Sequence, residues 1–460
     1  MPVSPARKVA YAVLLRLESG RGFAVDLLQS PEVSALKEAD RRLATEIVMG
    51  VLRWRGELDF QIERLSGKKA EGLDREVLAI LRMGAYQIRF LERVPKRAVV
   101  DDAVELTKAA RKRSATGFVN AVLRKFVPSP DRVTDLDFEQ LSPEGRESVR
   151  RAFPAWLLKR WEGMCAATSE SGEFGVLRLA YSSLQTPRTT LRASGTVAAL
   201  RNIHDELEAE GVSTTFCKYA EKSGLTVESG QVQNTRAYRE GRVVIQDEAS
   251  QLIAELVSPE PGRRVLDLCA APGMKAGQLA QMLETGTLIA SDHSATRLRT
   301  LTKLLPQWIP SAVRLEIVRL DAAREIPFGV RFDRILLDAP CSGTGTLARN
   351  PEIKWRLHPE DISRLAELQA MMLRNALRAL ASGGLLVYAT CSLEPEENEG
   401  VVERVLSEQP AFRLLTSNVL ALKHPRLISL FDSQGYFRTR PDQYHMDGFS
   451  AAVIARCEDE

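Results

Sequence analysis

The chain has 460 residues, more than one ordinary hydrophobic core supports, so two or three domains are expected. Its 44% hydrophobic and 27% charged residues are the mixture of a soluble globular protein, and no stretch is apolar for long enough to span a bilayer. The net charge of +3 conceals an asymmetry: residues 1–130 hold 24 Lys+Arg against 16 Asp+Glu, whereas the remainder holds 39 against 44. A basic front third suggests a polyanionic partner, with a solvated helical surface as the plainer alternative.

In chain order, the apolar run Val9 to Leu15 is closely flanked by Arg7, Lys8 and Arg16 and lacks a cleavage-site pattern, so it is read as part of a fold and not as a leader. Residues 5–126 read as helices throughout. Within Arg75 to Phe90, Val77, Ile80, Leu81, Ala85 and Ile88 form a stripe of helical period. Gly84 sits inside that stripe, and since a mid-helix glycine costs about 1 kcal/mol against alanine, it is expected to serve close helix packing. A second helix is predicted from Ala98 to about Lys112, ending in Arg111-Lys112-Arg113. A third, around Gly117 to Phe126, ends in Arg124-Lys125 before Pro128-Ser129-Pro130. The helix dipole accounts for some of these terminal cations but not for their clustering over several helices. The combination Leu81-Arg82-Met83-Gly84-Ala85-Tyr86-Gln87, Val94-Pro95, Ala103-Val104-Glu105-Leu106 and Gly117-Phe118-Val119-Asn120-Ala121-Val122-Leu123-Arg124 resembles the NusB family of all-helical RNA-binding domains. The resemblance covers roughly residues 5–127 and implies an RNA-binding domain over 1–128.

Pro128 to about Asp137 reads as a linker. A small α+β connector is expected over 138–235, with a helix opening at Phe153-Pro154-Ala155-Trp156, strands at Thr189–Ala193 and Ser213–Cys217, and a helix from Thr196 to Glu210. Trp156 and Trp161 are read as core residues and not as base-stacking platforms. The strand–helix alternation of a doubly wound sheet begins near Val243. Strands are predicted at 264–268, 286–291, 315–320, 333–337 and 384–389, with the longest helix from Glu360 to Leu380. A third, α/β domain is therefore expected over 236–460. Ligands and chemistry collect at the carboxyl ends of the strands in such sheets.

The first of these strand ends reads Val265-Leu266-Asp267-Leu268-Cys269-Ala270-Ala271-Pro272-Gly273-Met274-Lys275, a strand, a turn of small residues and a helix start. Small residues let backbone approach a ligand closely. The turn is neither GxGxxG nor a P-loop, so neither NAD nor ATP is favoured. Asp292 ends the next strand, where an acidic side chain can bind ribose hydroxyls, and Asp321 ends the third, within reach of an adenine. Any one aspartate can be a helix cap, but three at successive strand ends point to a ligand. Lys275 places a cation in the first turn of a helix, against the macrodipole by roughly 0.3–1 kcal/mol. A group outside the helix, such as a carboxylate at a reaction centre, is expected to use it.

Two later strands each end abruptly in a polar turn with a cysteine: Ile335-Leu336-Leu337-Asp338-Ala339-Pro340-Cys341-Ser342-Gly343 and Leu385-Leu386-Val387-Tyr388-Ala389-Thr390-Cys391-Ser392. Two thiols are thus expected at one sheet edge, with Asp338 beside one of them. A nucleophilic thiol is the chemistry this suggests, since cysteine is partly thiolate near neutral pH and can also depart. Spacing leaves open which thiol attacks, and two buried structural cysteines are the bland alternative. The other cysteines, Cys165, Cys217, Cys269 and Cys457, form no CxxC pair, and the five histidines form no metal pattern, so no metal is expected and a reducing cytoplasm fits.

Asp267-Leu268-Cys269-Ala270-Ala271-Pro272-Gly273, Asp338-Ala339-Pro340-Cys341-Ser342-Gly343 and Thr390-Cys391-Ser392 resemble the motifs of the Nop/Sun family of RNA cytosine-5 methyltransferases. Asn350-Pro351-Glu352-Ile353-Lys354-Trp355 and Asp447-Gly448-Phe449 are similar to further motifs of the family, with Met274 where a second glycine is usual and Asn350 where histidine is common. With the NusB-like front end, the whole chain resembles the family's enzymes that methylate one cytosine of bacterial small-subunit ribosomal RNA. The resemblance implies S-adenosyl-L-methionine as cofactor, held by Cys269, Ala270, Ala271, Pro272, Gly273, Lys275, Asp292, Asp321 and Asp338. It implies catalysis by Cys391 as nucleophile, Cys341 in release of the covalent product, Asp338 and Lys275. The partner it implies is 16S ribosomal RNA, free or in a partly assembled small subunit, met by a cytosolic monomer that touches no membrane. A reading from another class is a non-catalytic RNA-binding or antitermination-type factor using the methyltransferase fold as scaffold. Retention of both cysteines, Asp338, Lys275 and the aspartates argues against it.

Overall fold

The stripe Val77, Ile80, Leu81, Ala85 and Ile88 is buried on the helix Arg75–Phe90. Gly84 explains itself here: a Cβ on it would stand 2.7 Å from Leu123 Cδ1, so the helix Thr116–Lys125 rests directly on the Gly84 backbone. Further helices span Pro5–Glu18, Glu38–Ser66 and Lys96–Ala109. The last stops short of the predicted Lys112. Arg111 turns into the left-handed region at φ 61°, Lys112 N donates to Thr107 O at 3.0 Å, and the Lys112 ammonium pairs with Asp74 at 3.0 Å. The basic cluster therefore sits in a turn, with Arg111 and Arg113 exposed.

The computed structural model describes residues 3–20, 22–128, 138–166, 172–195 and 197–457, so the expected linker beyond Pro128 lies outside the described residues. The chain divides into two units, Met1–Thr186 with Leu347–Leu357 and Pro187–Thr346 with His358–Glu460. The division falls inside the segment expected as a connector. Its helices Pro143–Arg151, Ala155–Ala166 and Gly172–Leu184 belong to the first unit, and its strands to the second. Trp161 is fully buried and Trp156 half-buried.

The motif Asn350–Trp355 is spent inside the helical unit. Lys354 is buried, donates to Arg53 O at 2.8 Å and lies 3.8 Å from the centre of the Phe153 ring. Burial pushes its amine well below the ordinary lysine value, with the Arg53 charge acting in the same direction. Arg53 in turn donates to Ala348 O at 2.9 Å, and Trp355 Nε1 to Leu52 O at 2.7 Å.

In the second unit, β1 (Thr189–Ala193), β2 (Ser213–Phe216), β3 (Gly224–Ser229) and β4 (Val243–Ile245) form an antiparallel sheet in the order β2-β3-β1-β4. The alternation expected to open the doubly wound sheet near Val243 is corrected here: Val243 pairs with Ala193 in this small sheet. The short run Val243–Ile245 could not by itself indicate which sheet it joins.

The large sheet begins with β5 (Arg264–Asp267) and continues through β6 (Gly286–Asp292), β7 (Val313–Arg319), β8 (Phe332–Asp338), β9 (Leu380–Thr390), β10 (Phe412–Leu414), β11 (Phe437–Arg438) and β12 (Ser450–Arg456). Its order is β10-β12-β9-β8-β5-β6-β7, with β11 paired to β12. Strands β9, β8, β5, β6 and β7 run parallel, and β12 is antiparallel to β9. Both faces are covered at β8 and β9, which is why Ile335–Leu337 and Leu385–Ala389 read as continuous apolar runs. Leu336 packs into a core with Leu252, Leu279 and Val387, while its neighbours Ile335 and Leu337 face a second core with Leu373, Leu377 and Tyr388.

Candidate active site

The parallel register brings the carboxyl ends of β5, β8 and β9 side by side, since Leu266 pairs with Ile335 and Ile335 with Leu386. After β5 the chain turns through Cys269, Ala270, Ala271, a cis Ala271–Pro272 peptide and Gly273, whose φ of 115° opens the helix Met274–Leu283. Met274 packs against the hydrophobic core. Lys275, one residue further, points its ammonium at the end of β8, where Nζ donates to Asp338 Oδ2 at 2.8 Å. The two side chains are 14% and 26% exposed, and the Phe449 ring lies 5.1 Å from the ammonium. Burial works against the lysine charge, but Asp338 and the nearby Cys391 hold it above the ordinary value.

Three strand-end aspartates differ sharply. Asp267 is buried, and neither of its oxygens accepts a fully formed hydrogen bond. Burial, reinforced by Asp338, pushes its carboxyl up to about 7, with Lys275 and the Cys269 amide opposing. The sequence gives it no ligand role of its own beyond its place in the series of three. Asp292 is buried as well: Oδ1 accepts from Ser294 N at 2.8 Å and pairs with Arg297 at 3.2 Å, while Oδ2 has no partner. Asp321 lies two residues beyond β7, the strand next to β6, and is half exposed, with Oδ1 accepting from Ala323 N at 3.1 Å. Burial pushes the Cys269 thiol well up, and Asp267 adds to that.

Cys341 and Cys391 are both free thiols in the turns after β8 and β9, and their sulfurs lie 3.4 Å apart. The hydrogen bond to Cys391 and then burial raise the Cys341 thiol well above its ordinary value. Backbone amides also join the two turns. Gly345 N donates to Cys391 O at 2.9 Å, and Leu393 N to Thr344 Oγ1 at 2.9 Å. Beneath them lies Glu397, fully buried, which the sequence did not single out. Its Oε1 accepts from Ser342 N at 2.9 Å and Gln369 Nε2 at 2.9 Å, and its Oε2 from Ser342 Oγ and, at 2.5 Å, Ser392 Oγ. No spacing rule could have found it, because the five residues separating it from Cys391 are loop and the start of one short helical turn.

A thiol pair, a lysine–carboxylate pair and unmet buried acceptors along one sheet edge suit group transfer to a polar substrate. Comparison with known proteins agrees. The model of the family described as 16S rRNA methyltransferase RsmB/F matches residues 254–455, and that of the NusB family residues 4–128. A probable ribosomal RNA small subunit methyltransferase B of Bacillus subtilis is 31% identical over 455 residues, covering 98% of each chain. The ribosomal RNA small subunit methyltransferase B of Pseudomonas putida is 33% identical over 419 residues, 88% of this chain and 90% of that one. This chain belongs to the ribosomal RNA small subunit methyltransferase B family. A methyltransferase homologue from Pyrococcus horikoshii, of known crystal structure, matches with a TM-score of 0.55 and 28% identity over 69% of this chain and all of that one.

Members of this family use S-adenosyl-L-methionine. The residues present fit that molecule. It carries an ammonium group, ribose hydroxyls and an adenine amine, all donors, and the carboxyl ends of β5 and β6 offer three buried carboxylate oxygens in need of donors. Among the described residues, no helix is long and apolar enough to cross a membrane.

Proposed function

We propose that this protein forms 5-methylcytosine at a single cytosine of 16S ribosomal RNA through a covalent adduct of Cys391 with carbon 6 of the base. The observation that carries this reading is the 3.4 Å pairing of Cys341 with Cys391 on the sheet edge that also holds the Lys275–Asp338 ion pair. Carbon 5 of cytosine is a poor nucleophile. Addition of the Cys391 thiolate to carbon 6 makes the ring an enamine whose carbon 5 can attack, dividing one hard step into easier ones. The Asp338 carboxyl meets the N3/N4 edge of the ring and stabilises charge on the adduct, and Lys275 fixes that carboxyl in place. Cys341 serves the later steps, in which a base takes the carbon 5 proton and its bonding pair re-forms the C5=C6 double bond as the Cys391 thiolate is expelled. S-adenosyl-L-methionine, when bound, supplies the electrophilic methyl group. The turn Cys269–Gly273 with Lys275, Asp292, Asp321 and Asp338 holds it, Asp292 through the ribose hydroxyls. Asp267 joins this set on the strength of its two unmet oxygens.

The helical unit with its exposed Arg111 and Arg113 places the RNA, because phosphate contacts orient a protein on nucleic acid. The target base is flipped out or already unpaired, since carbon 6 is out of reach within a stacked duplex. The enzyme acts as a cytoplasmic monomer, on free 16S RNA or on a partly assembled small subunit.

One denaturing gel tests the assignment of the thiols. With labelled RNA and cofactor, Cys391→Ala is expected to lose both methylation and any covalent adduct. Cys341→Ala is expected to attack, transfer methyl and stall, accumulating an enzyme–RNA species that survives denaturation. The mirror-image result would move the nucleophile to Cys341.

A further inference from the structure

We infer that Glu397 is a positioning residue of this reaction: its buried carboxylate ties the turn carrying Cys341 to the turn carrying Cys391 and thereby fixes the spacing of the two sulfurs. The inference rests on the two-thiol reading above. Ser342 and Ser392 each directly follow one of the cysteines, and the hydroxyls of both donate to the same oxygen of Glu397, Oε2. The other oxygen receives the Ser342 amide and Gln369, and Gln369 also donates to Pro340 O at 2.9 Å, on the near side of Cys341. Glu397 is itself fixed from below, its carbonyl accepting from Tyr388 OH at 2.5 Å. The next residue, Asn398, extends the tie. Its Nδ2 donates to Ser392 O at 3.0 Å, and its Oδ1 accepts from Thr390 Oγ1 at 2.5 Å.

A buried carboxylate is costly to ionise, and burial does raise the Glu397 carboxyl, against the pull of four hydrogen bonds. An apolar side chain would fill this space at less cost. What it could not do is hold two turns from different strands through one oxygen atom. The charge has a second use. Glu397 adds to the forces that raise the Cys341 thiol, whose sulfur lies 3.4 Å from that of Cys391. The other charged or titratable groups felt at the pair are Lys275, close to Cys391, with its partner Asp338, and Tyr388, close to Cys341. Of these only Lys275 is a cation, and it lies on the Cys391 side.

The test uses the full chain with cofactor and ribosomal RNA. Glu397→Ala is expected to lower kcat about a hundredfold, the cost of misplacing a reacting group by roughly 1 Å, and to slow diamide-driven closure of the Cys341–Cys391 disulfide about tenfold. KM for RNA and for cofactor should stay within about twofold. Glu397→Gln, which keeps the shape and loses the charge, is expected to restore closure and most of the lost kcat. Should Glu397→Ala fail to fold, the Ser342→Ala/Ser392→Ala protein is expected to show the same slowed closure and lowered kcat. Closure and kcat equal to wild type in both proteins would overturn the inference, as would a kcat loss matched by an equal loss of cofactor affinity. Failure of the wild-type enzyme to form any covalent RNA adduct would instead refute the underlying reading, leaving the closure rates to report on the tie alone.

Discussion

The carboxyl edge of the parallel sheet carries two regions that treat their polar groups in opposite ways. At β5 and β6, both oxygens of Asp267 and one of Asp292 are buried with their hydrogen-bonding capacity unmet. At β8 and β9, Glu397, Asn398, Thr344 and Gly345 answer one another across the two turns. An unmet buried acceptor costs about 1–3 kcal/mol, so the first region carries a penalty that a ligand rich in donors relieves on binding. The second region is complete before any substrate arrives, as preorganised catalytic groups need to be. One end of the edge is built to receive and the other to hold still.

The contrast can be broken hardest at Gly345. A Cβ there would stand 2.1 Å from Gly448 O, backbone against backbone, while Gly345 N holds the Cys391 carbonyl. Gly345→Ala is expected to cost about 3 kcal/mol of stability, measured by denaturant unfolding, and to lower adduct formation without weakening cofactor binding. A variant as stable as the parent would mean that the thiol end is pliable.

Next in size is Asp292→Ala at the receiving end. Loss of one charge-assisted bond is expected to raise the Kd for S-adenosyl-L-methionine by about 1.5–3 kcal/mol, roughly ten- to hundredfold, with RNA binding unchanged. Unaltered cofactor affinity by calorimetry would remove Asp292 from the site.

The smallest effect is a change of slope. Asp267 has its folded-state carboxyl raised to about 7 from an ordinary 3.8, so between these values the folded protein binds the proton more tightly than the unfolded chain. Its contribution to stability is therefore present below the lower value and is lost as pH rises through the upper one. Asp267→Asn should flatten the fall in Tm of the cofactor-free protein between about pH 4 and pH 7 relative to the parent. Parallel curves for the two proteins would show that Asp267 is not strained in this way.

Much of this architecture was legible in the residues, and unevenly so. The helix Arg75–Phe90 was readable to its ends, because a 3.6-residue apolar stripe and its burial are the same fact. The helix expected to reach Lys112 stops at Ala109, because that end is set by a left-handed turn at a non-glycine residue, Arg111, which no composition signals. The strand Val243–Ile245 was not among the strands expected, and the alternation placed near Val243 begins only at Arg264, since three residues carry no mark of their partner. Likewise the motif Asn350–Trp355 was noted, but not that Lys354 and Trp355 bond to backbone carbonyls within the helical unit.

At the site, the sequence by itself determined which residues arrive at the sheet edge, because apolar strands of known length end where Asp267, Asp292, Asp338 and Cys391 begin their turns. It also required that Lys275, a cation against its own helix dipole, have a partner elsewhere. Only the tertiary structure decided that this partner is Asp338, that the two sulfurs lie 3.4 Å apart, and that Asp321 is half exposed where Asp267 and Asp292 are buried. It alone disclosed Glu397. The reason is physical: strand ends follow from local apolar runs, whereas the distances between turns depend on strand order and register. A buried carboxylate that joins two turns leaves no local periodicity to read.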